Sequence, residues 1–136
     1  MEELQLKDYK IYLNLLNQFR DIQEMSFDEF EKIYNSVNKT TNIYVYKEND
    51  TIIGCISLII EQKFINNNGR VCHIEDLVIH KEHRKQGIGS AMLSFAKKEA
   101  KKVGCYKVIL NCDVAFVDFY KKNDFNIYSN GMKYIT

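Results

Sequence analysis

The sequence predicts an α/β domain, α+β in the order of its elements, with a mostly antiparallel sheet flanked by helices. Three observations carry the prediction. Apolar residues recur every three or four positions in several segments, β-branched and aromatic runs bounded by turn residues lie between them, and the resulting order is ααβββαβαβ. At 136 residues the chain has the length of one domain, and neither a repeat nor a linker divides it, so a single domain over residues 1–136 is expected.

Each element follows from local pattern. From Leu6 to Phe19 the residues Tyr9, Tyr12, Leu13, Leu16 and Phe19 share one helical face. Ser26 and Glu29 have capping-box spacing and open a second helix striped by Phe27, Phe30, Ile33, Tyr34 and Val37. Ile43 to Tyr46 and Ile52 to Gln62 read as a hairpin turning at Glu48-Asn49-Asp50, and Asn66-Asn67-Asn68-Gly69 turns the chain into a third strand, Val71 to Ile79. Gly89 to Val103 is a helix with Ala91, Met92, Phe95, Ala96 and Val103 on one face, ended by Gly104. Tyr106 to Leu110 reads as a short strand, Ala115 to Lys122 as a short helix, and Phe125 to Ile135 as one or two closing strands.

Composition excludes several classes. Nineteen Lys and Arg against eighteen Asp and Glu give a net charge of +1, so no bulk field points to nucleic acid or an acidic membrane, and any charged partner must be met locally. With 46% hydrophobic and 27% charged residues the chain lies far from disordered composition. No apolar run approaches the roughly 20 residues of a membrane span, and the start Met1-Glu2-Glu3-Leu4 is acidic where a signal peptide is basic; a cytoplasmic protein is expected. Cys55, Cys72, Cys105 and Cys112 each fall in a strand-like run without C-x-x-C spacing, which predicts buried free thiols. His73, His80 and His83 match no zinc spacing, so no metal is expected.

The chemistry should lie at Arg84-Lys85-Gln86-Gly87-Ile88-Gly89, between a strand and the long helix. Glycines at a helix mouth let the backbone approach a phosphate, which meets free N–H groups and the positive end of the helix dipole. A bulky residue at Gly87 or Gly89 is therefore expected to weaken binding with the fold intact. A dinucleotide fingerprint fails because Met92 stands where a third glycine is needed, and no G-K-[ST] is present for a Walker loop.

R-x-x-G-x-G between strand and helix, with Phe119-Tyr120 on a later short helix, resembles the GNAT superfamily of acyl-CoA-dependent N-acyltransferases. Lys63-Phe64-Ile65, His73-Ile74-Glu75-Asp76, Gly104 to Leu110 and Phe119 to Lys122 narrow the resemblance to its glucosamine-6-phosphate N-acetyltransferases, over roughly residues 43–125. That resemblance implies a GNAT-like fold and acetyl-CoA as co-substrate. Backbone of Leu77, Val78 and Ile79 would pair with the pantetheine arm. Arg84, Lys85, Gln86, Gly87, Ile88, Gly89 and Ser90 would hold the pyrophosphate. Tyr120 would protonate the departing thiolate, Glu75 and Asp76 would line the amino-sugar pocket, and Lys63 would contact the sugar phosphate. Being adjacent, Glu75 and Asp76 should point to opposite faces of their strand.

Two positions depart from the family pattern. Asn111 stands where the family has an aspartate on the substrate amine, and Phe116 where it has an asparagine near the CoA arm. Asn accepts a hydrogen bond but takes no proton. Lys133 is out of register with the family's basic C-terminal contact. The expected activity is direct acetyl transfer to glucosamine 6-phosphate by a homodimer, an amino-sugar nitrogen needing only a weak acceptor such as Asn111. Two other readings stay open: acetylation of another primary amine, on a polyamine or a protein, and a non-catalytic acyl-CoA sensor.

Overall fold

A computed structural model describes residues 1–136. One five-stranded sheet runs in the order β1 (Glu2–Glu3), β2 (Thr41–Glu48), β3 (Thr51–Gln62), β4 (Arg70–Ile79) and β5 (Cys105–Ile109). Neighbours are antiparallel except β4 and β5, which are parallel. The connections explain the difference. Asn49 and Asp50, with φ of 49° and 60°, make the two-residue left-handed turn that matches strand twist between β2 and β3. Asn66, Asn67 and Asn68, with φ of 53° to 56°, fold back a single turn, α3 (Ile65–Asn68), between β3 and β4. A parallel neighbour needs a crossover, which the helix α4 (Ile88–Lys102) supplies.

Helices cover both faces. On one side α1 (Tyr9–Asn17) and α2 (Phe27–Val37) bury Tyr12, Leu15 and Phe30 against Val45, Ile52, Cys55 and Val78. On the other, Met92, Leu93, Ala96 and Ala100 of α4 pack on Ile56, Leu58, Cys72 and Ile74. The capping box closes as its spacing requires: the Glu29 N–H donates to Ser26 Oγ, and the Ser26 N–H donates to the Glu29 carboxylate. Gly54 permits close packing, since a Cβ there would lie 2.8 Å from Met92 Sδ and 3.1 Å from Ile79 Cδ1 and would force those side chains to shift.

The structure differs from the sequence reading at several places. The first helix begins as a 3-10 turn, Leu6–Asp8, before α1, and the last, α5 (Val117–Lys122), follows a 3-10 turn over Val114–Phe116. Strand β1 went unpredicted, because two residues carry no periodicity.

No closing strand forms. Residues 126–136 form no regular element, make no backbone hydrogen bond, and leave a cleft of about 720 Å³ between themselves and β5. Alternation marks a segment that can be a strand, but a strand also needs an edge to pair with. Ser129, Asn130 and Gly131 break the run before it reaches one. All four cysteines are free, yet only Cys55 and Cys72 are fully buried. Cys105 is half-buried, and Cys112 is exposed because β5 ends three residues before it.

Candidate active site

Strand β4 is paired along only half of its outer edge. Arg70 to His73 align with β5, and beyond them the strands part, so the edge from Glu75 to Ile79 has no partner strand on that side. A bulge sits at the start of the open half. Cys55 opposes Val78 and Ser57 opposes Glu75, so Asp76 and Leu77 together face Ile56. Asp76 takes φ of 47°, and its carbonyl accepts the Cys55 thiol at 3.6 Å.

That extra residue changes the phase of the strand. Cys72 and Ile74 pack toward α4 before the bulge, and Leu77 and Ile79 do so after it. The expectation that Glu75 and Asp76 point to opposite faces is thereby corrected: alternation does not survive the bulge, and both residues are exposed. Glu75 lies opposite Ser57, and the Asp76 charge is felt on the α1 side. Burial pushes the Cys55 thiol up to about 12, with Asp76 adding to the shift. Burial likewise raises the Tyr12 hydroxyl above the tyrosine range, with smaller contributions from Cys55 and Asp76.

The loop after β4 presents bare backbone. His80 Nδ1 accepts the Glu82 N–H, and Arg84 Nε donates to the Ile79 carbonyl at 3.2 Å, which holds the turn against the strand. Lys85 and Gly87 take left-handed φ of 62° and 81°. Gly87 caps α4 without a side-chain acceptor, so the first-turn N–H groups of Ile88, Gly89 and Ser90 stay free for an anion. Arg84, Lys85, Gln86 and Gly87 are exposed.

The two glycines have different roles. A Cβ at Gly87 would meet nothing within 4 Å, whereas at Gly89 it would lie 3.0 Å from Phe119 Cζ and 3.9 Å from Ile79. A bulky residue at Gly89 therefore disturbs packing, contrary to the expectation from sequence. The same contact shows that the end of β4, the mouth of α4 and α5 converge.

Across the gap from β4, the chain leaves β5 through Leu110, Asn111 and Cys112 and enters the turn before α5, capped by Asp113 accepting the Ala115 N–H at 2.9 Å. Tyr120 is half-buried, with ring centroids 5.0 Å from Phe119 and 6.0 Å from Phe125. Burial raises its hydroxyl above the ordinary tyrosine range, Cys112 adding a smaller push. Asn111, Cys112 and Tyr120 line the cleft beside the C-terminal segment. Phe116 is exposed on the approach to α5.

Lys63 lies away from this convergence, just past the end of β3, and it is not a free cation. Its Nζ pairs with Glu61 Oε1 at 2.6 Å, while the other oxygen, Oε2, lies 2.7 Å from His73 Nε2. Lys63 and then His73 hold the Glu61 carboxyl below its usual range, and Glu61 raises Lys63. Sequence reasoning missed Glu61 and His73 as partners of Lys63. Glu61-x-Lys63 spacing puts two residues on one face, but only the β3–β4 register brings His73 beside them.

Comparison with known proteins gives a consistent result. Residues 8–125 match the acetyltransferase (GNAT) family. The chain is 34% identical over 128 residues to glucosamine 6-phosphate N-acetyltransferase 1 of Dictyostelium discoideum, covering 90% of this chain and 81% of that protein. It is 31% identical to the Candida albicans glucosamine 6-phosphate N-acetyltransferase, covering 88% and 84%. The crystal structure of the Arabidopsis thaliana glucosamine-6-phosphate N-acetyltransferase superposes with a TM-score of 0.92 at 29% identity, covering 98% of this chain and 95% of that one.

Proposed function

The chain belongs to the acetyltransferase (GNAT) family, and from that premise we propose that it transfers acetyl from acetyl-CoA to the amine of glucosamine 6-phosphate. The observation that carries the reading is the unpaired edge of β4 from Glu75 to Ile79, which ends at a helix mouth with free N–H groups, with Tyr120 packed against the same core cluster as Leu77 and Ile79. An extended amide-bearing arm ending in a pyrophosphate fits that arrangement. Backbone of Leu77, Val78 and Ile79 pairs with the arm as an added strand. The loop from Arg84 to Ser90 takes the pyrophosphate.

Transfer is direct. The substrate amine attacks the thioester carbonyl, and a backbone N–H of the open edge stabilises the charge that develops on oxygen. The C–S bond then breaks, Tyr120 gives its proton to the departing thiolate, and the acylated nitrogen sheds its extra proton to solvent, from which Tyr120 is reprotonated. Its raised pKa supports this role, because the hydroxyl stays protonated through the neutral range. Glu75 and Asp76 line the amino-sugar pocket, Asn111 offers one carbonyl acceptor to the amine, and Lys63 takes the phosphate. No enzyme nucleophile is needed, and much of the rate comes from holding two substrates together.

The active form is a homodimer. Support comes from apolar surface left exposed at two places, Phe64 and Ile65 at the β3–β4 turn and Ile127, Tyr128, Met132, Tyr134 and Ile135 in the C-terminal segment, beside the open outer edge of β5. No helix is long and apolar enough to cross a membrane. The protein works in the cytoplasm as one domain, without nucleic acid, and its product is a precursor for amino-sugar nucleotide synthesis.

The test is acetyl-CoA consumption with glucosamine 6-phosphate, glucosamine, spermidine and a peptide amine. The highest kcat/KM is expected for glucosamine 6-phosphate. A preference for spermidine or the peptide would reassign the substrate. CoA binding without turnover on any of the four would make the protein a sensor.

A further inference from the structure

Glu61 is absent from the roles assigned so far, yet it organises the group that the proposed function gives to phosphate. Its carboxylate spans Lys63 and His73, one oxygen to each, at 2.6 and 2.7 Å. All three side chains lie on one face of the β3–β4 hairpin, the face that continues through Glu75, two residues beyond His73. Lys63 reaches back to Glu61, so that the carboxylate stands between the ammonium and the imidazole. The Lys63–Glu61 pair is by itself electrically balanced.

We propose that Glu61 is a specificity-determining residue that reserves Lys63 for a phosphate monoester. This rests on the reading of Lys63 as the phosphate contact. A monoanionic or neutral ligand has little to offer in exchange for the Lys63–Glu61 pair. A phosphate dianion replaces the carboxylate on the ammonium with greater charge, and Glu61, open to solvent, keeps its hydrogen bond with His73, so no buried charge is left behind. The exchange lowers the affinity for phosphate below what a bare lysine would give, and in return excludes weaker anions. Both cluster ends are solvent-accessible, so the exchange needs no movement of the sheet.

Glu61→Gln and Lys63→Met test this in the full-length protein, with kcat/KM for glucosamine 6-phosphate and for glucosamine, and inhibition by inorganic phosphate and by acetate, as readouts. Lys63→Met should lower the phosphorylated-to-plain substrate ratio by tenfold or so, the scale of a lost charge-assisted contact. Glu61→Gln should do the opposite, tightening inhibition by phosphate by about threefold, as expected for release of an exposed ion pair. It should also make acetate a measurable inhibitor. Weaker phosphate inhibition in Glu61→Gln would show that Glu61 only positions Lys63, and unchanged inhibition by both anions would show that it does nothing; either outcome overturns the proposal while leaving the Lys63 reading standing. An unchanged substrate ratio in Lys63→Met overturns both. The acetyl-CoA KM of each variant monitors the fold, since that site lies at the other end of β4.

Discussion

The two halves of β4 are built from similar residues and do opposite work. From Arg70 to His73 the strand has β3 on one side and β5 on the other, and with Ile74 it supplies Val71, Cys72 and Ile74 to the interior. From Glu75 to Ile79 it keeps β3 but loses β5, and no strand pairs with its backbone on that side, where the Ile79 carbonyl accepts from Arg84 Nε instead. One residue, Asp76 at φ of 47°, separates the halves. A strand can thus be paired on both sides along one half and offer a free edge along the other, if a bulge sets the phase on each side and the neighbouring strand turns away. Substitutions in the first half should therefore cost stability, and substitutions facing the second should cost rate.

Tyr120→Phe should sharpen that division most. Phenylalanine keeps the packing on Phe119 and Phe125, so Tm should change little, while kcat falls by about 10²–10⁴-fold, the usual contribution of a positioned acid. Because burial raises the Tyr120 pKa, the acid form persists as pH rises, and wild-type kcat should hold level through the ordinary tyrosine range and fall only above it. That alkaline limb should be missing in Tyr120→Phe. A rate within a few-fold of wild type would make Tyr120 a packing residue and leave the open half without its acid.

Ile74→Ala probes the other side of the bulge. Ile74 is 4% exposed, against Leu58 and the α4 core, and the truncation should cost about 2–5 kcal/mol by chemical denaturation. At temperatures where the variant is folded, its acetyl-CoA KM should match wild type. A raised KM with little loss of stability would mean that the halves are coupled through the bulge.

Asn111→Asp should have the smallest effect. If the residue orients the amine, a charged acceptor strengthens one hydrogen bond, so the KM for glucosamine 6-phosphate should fall while kcat changes by less than about tenfold. Steady-state kinetics of both proteins from pH 6 to 9 would check it. A silent wild type restored by Asn111→Asp would show that the position must accept a proton and that this chain has lost catalysis.

Much of the fold was legible because its causes are local. The Ser26–Glu29 cap, the Asn49-Asp50 and Asn66-Asn67-Asn68 turns and the Gly104 stop of α4 depend on backbone preferences of the residues themselves, and each element they bound formed within a few residues of its expected limits. The glycine loop was legible for the same reason, since bare N–H groups at a helix start follow from residue type and position. The segment after Phe125 was not, because alternation of apolar residues says what a strand would look like and nothing about whether an edge is within reach.

By itself, then, the sequence determined most of the elements, the glycine loop at the mouth of α4 and, through motif resemblance, the family and the residues worth testing. Tertiary structure alone decided three things. It opened β4 from β5 to expose the backbone that acyl-CoA is proposed to meet, it put Glu75 and Asp76 past a bulge where alternation no longer holds, and it set Glu61 between Lys63 and His73. Each depends on which residue lies opposite which across a strand pair, a relation between segments far apart in the chain. Helical periodicity and turn chemistry act within a few residues, so they cannot carry it.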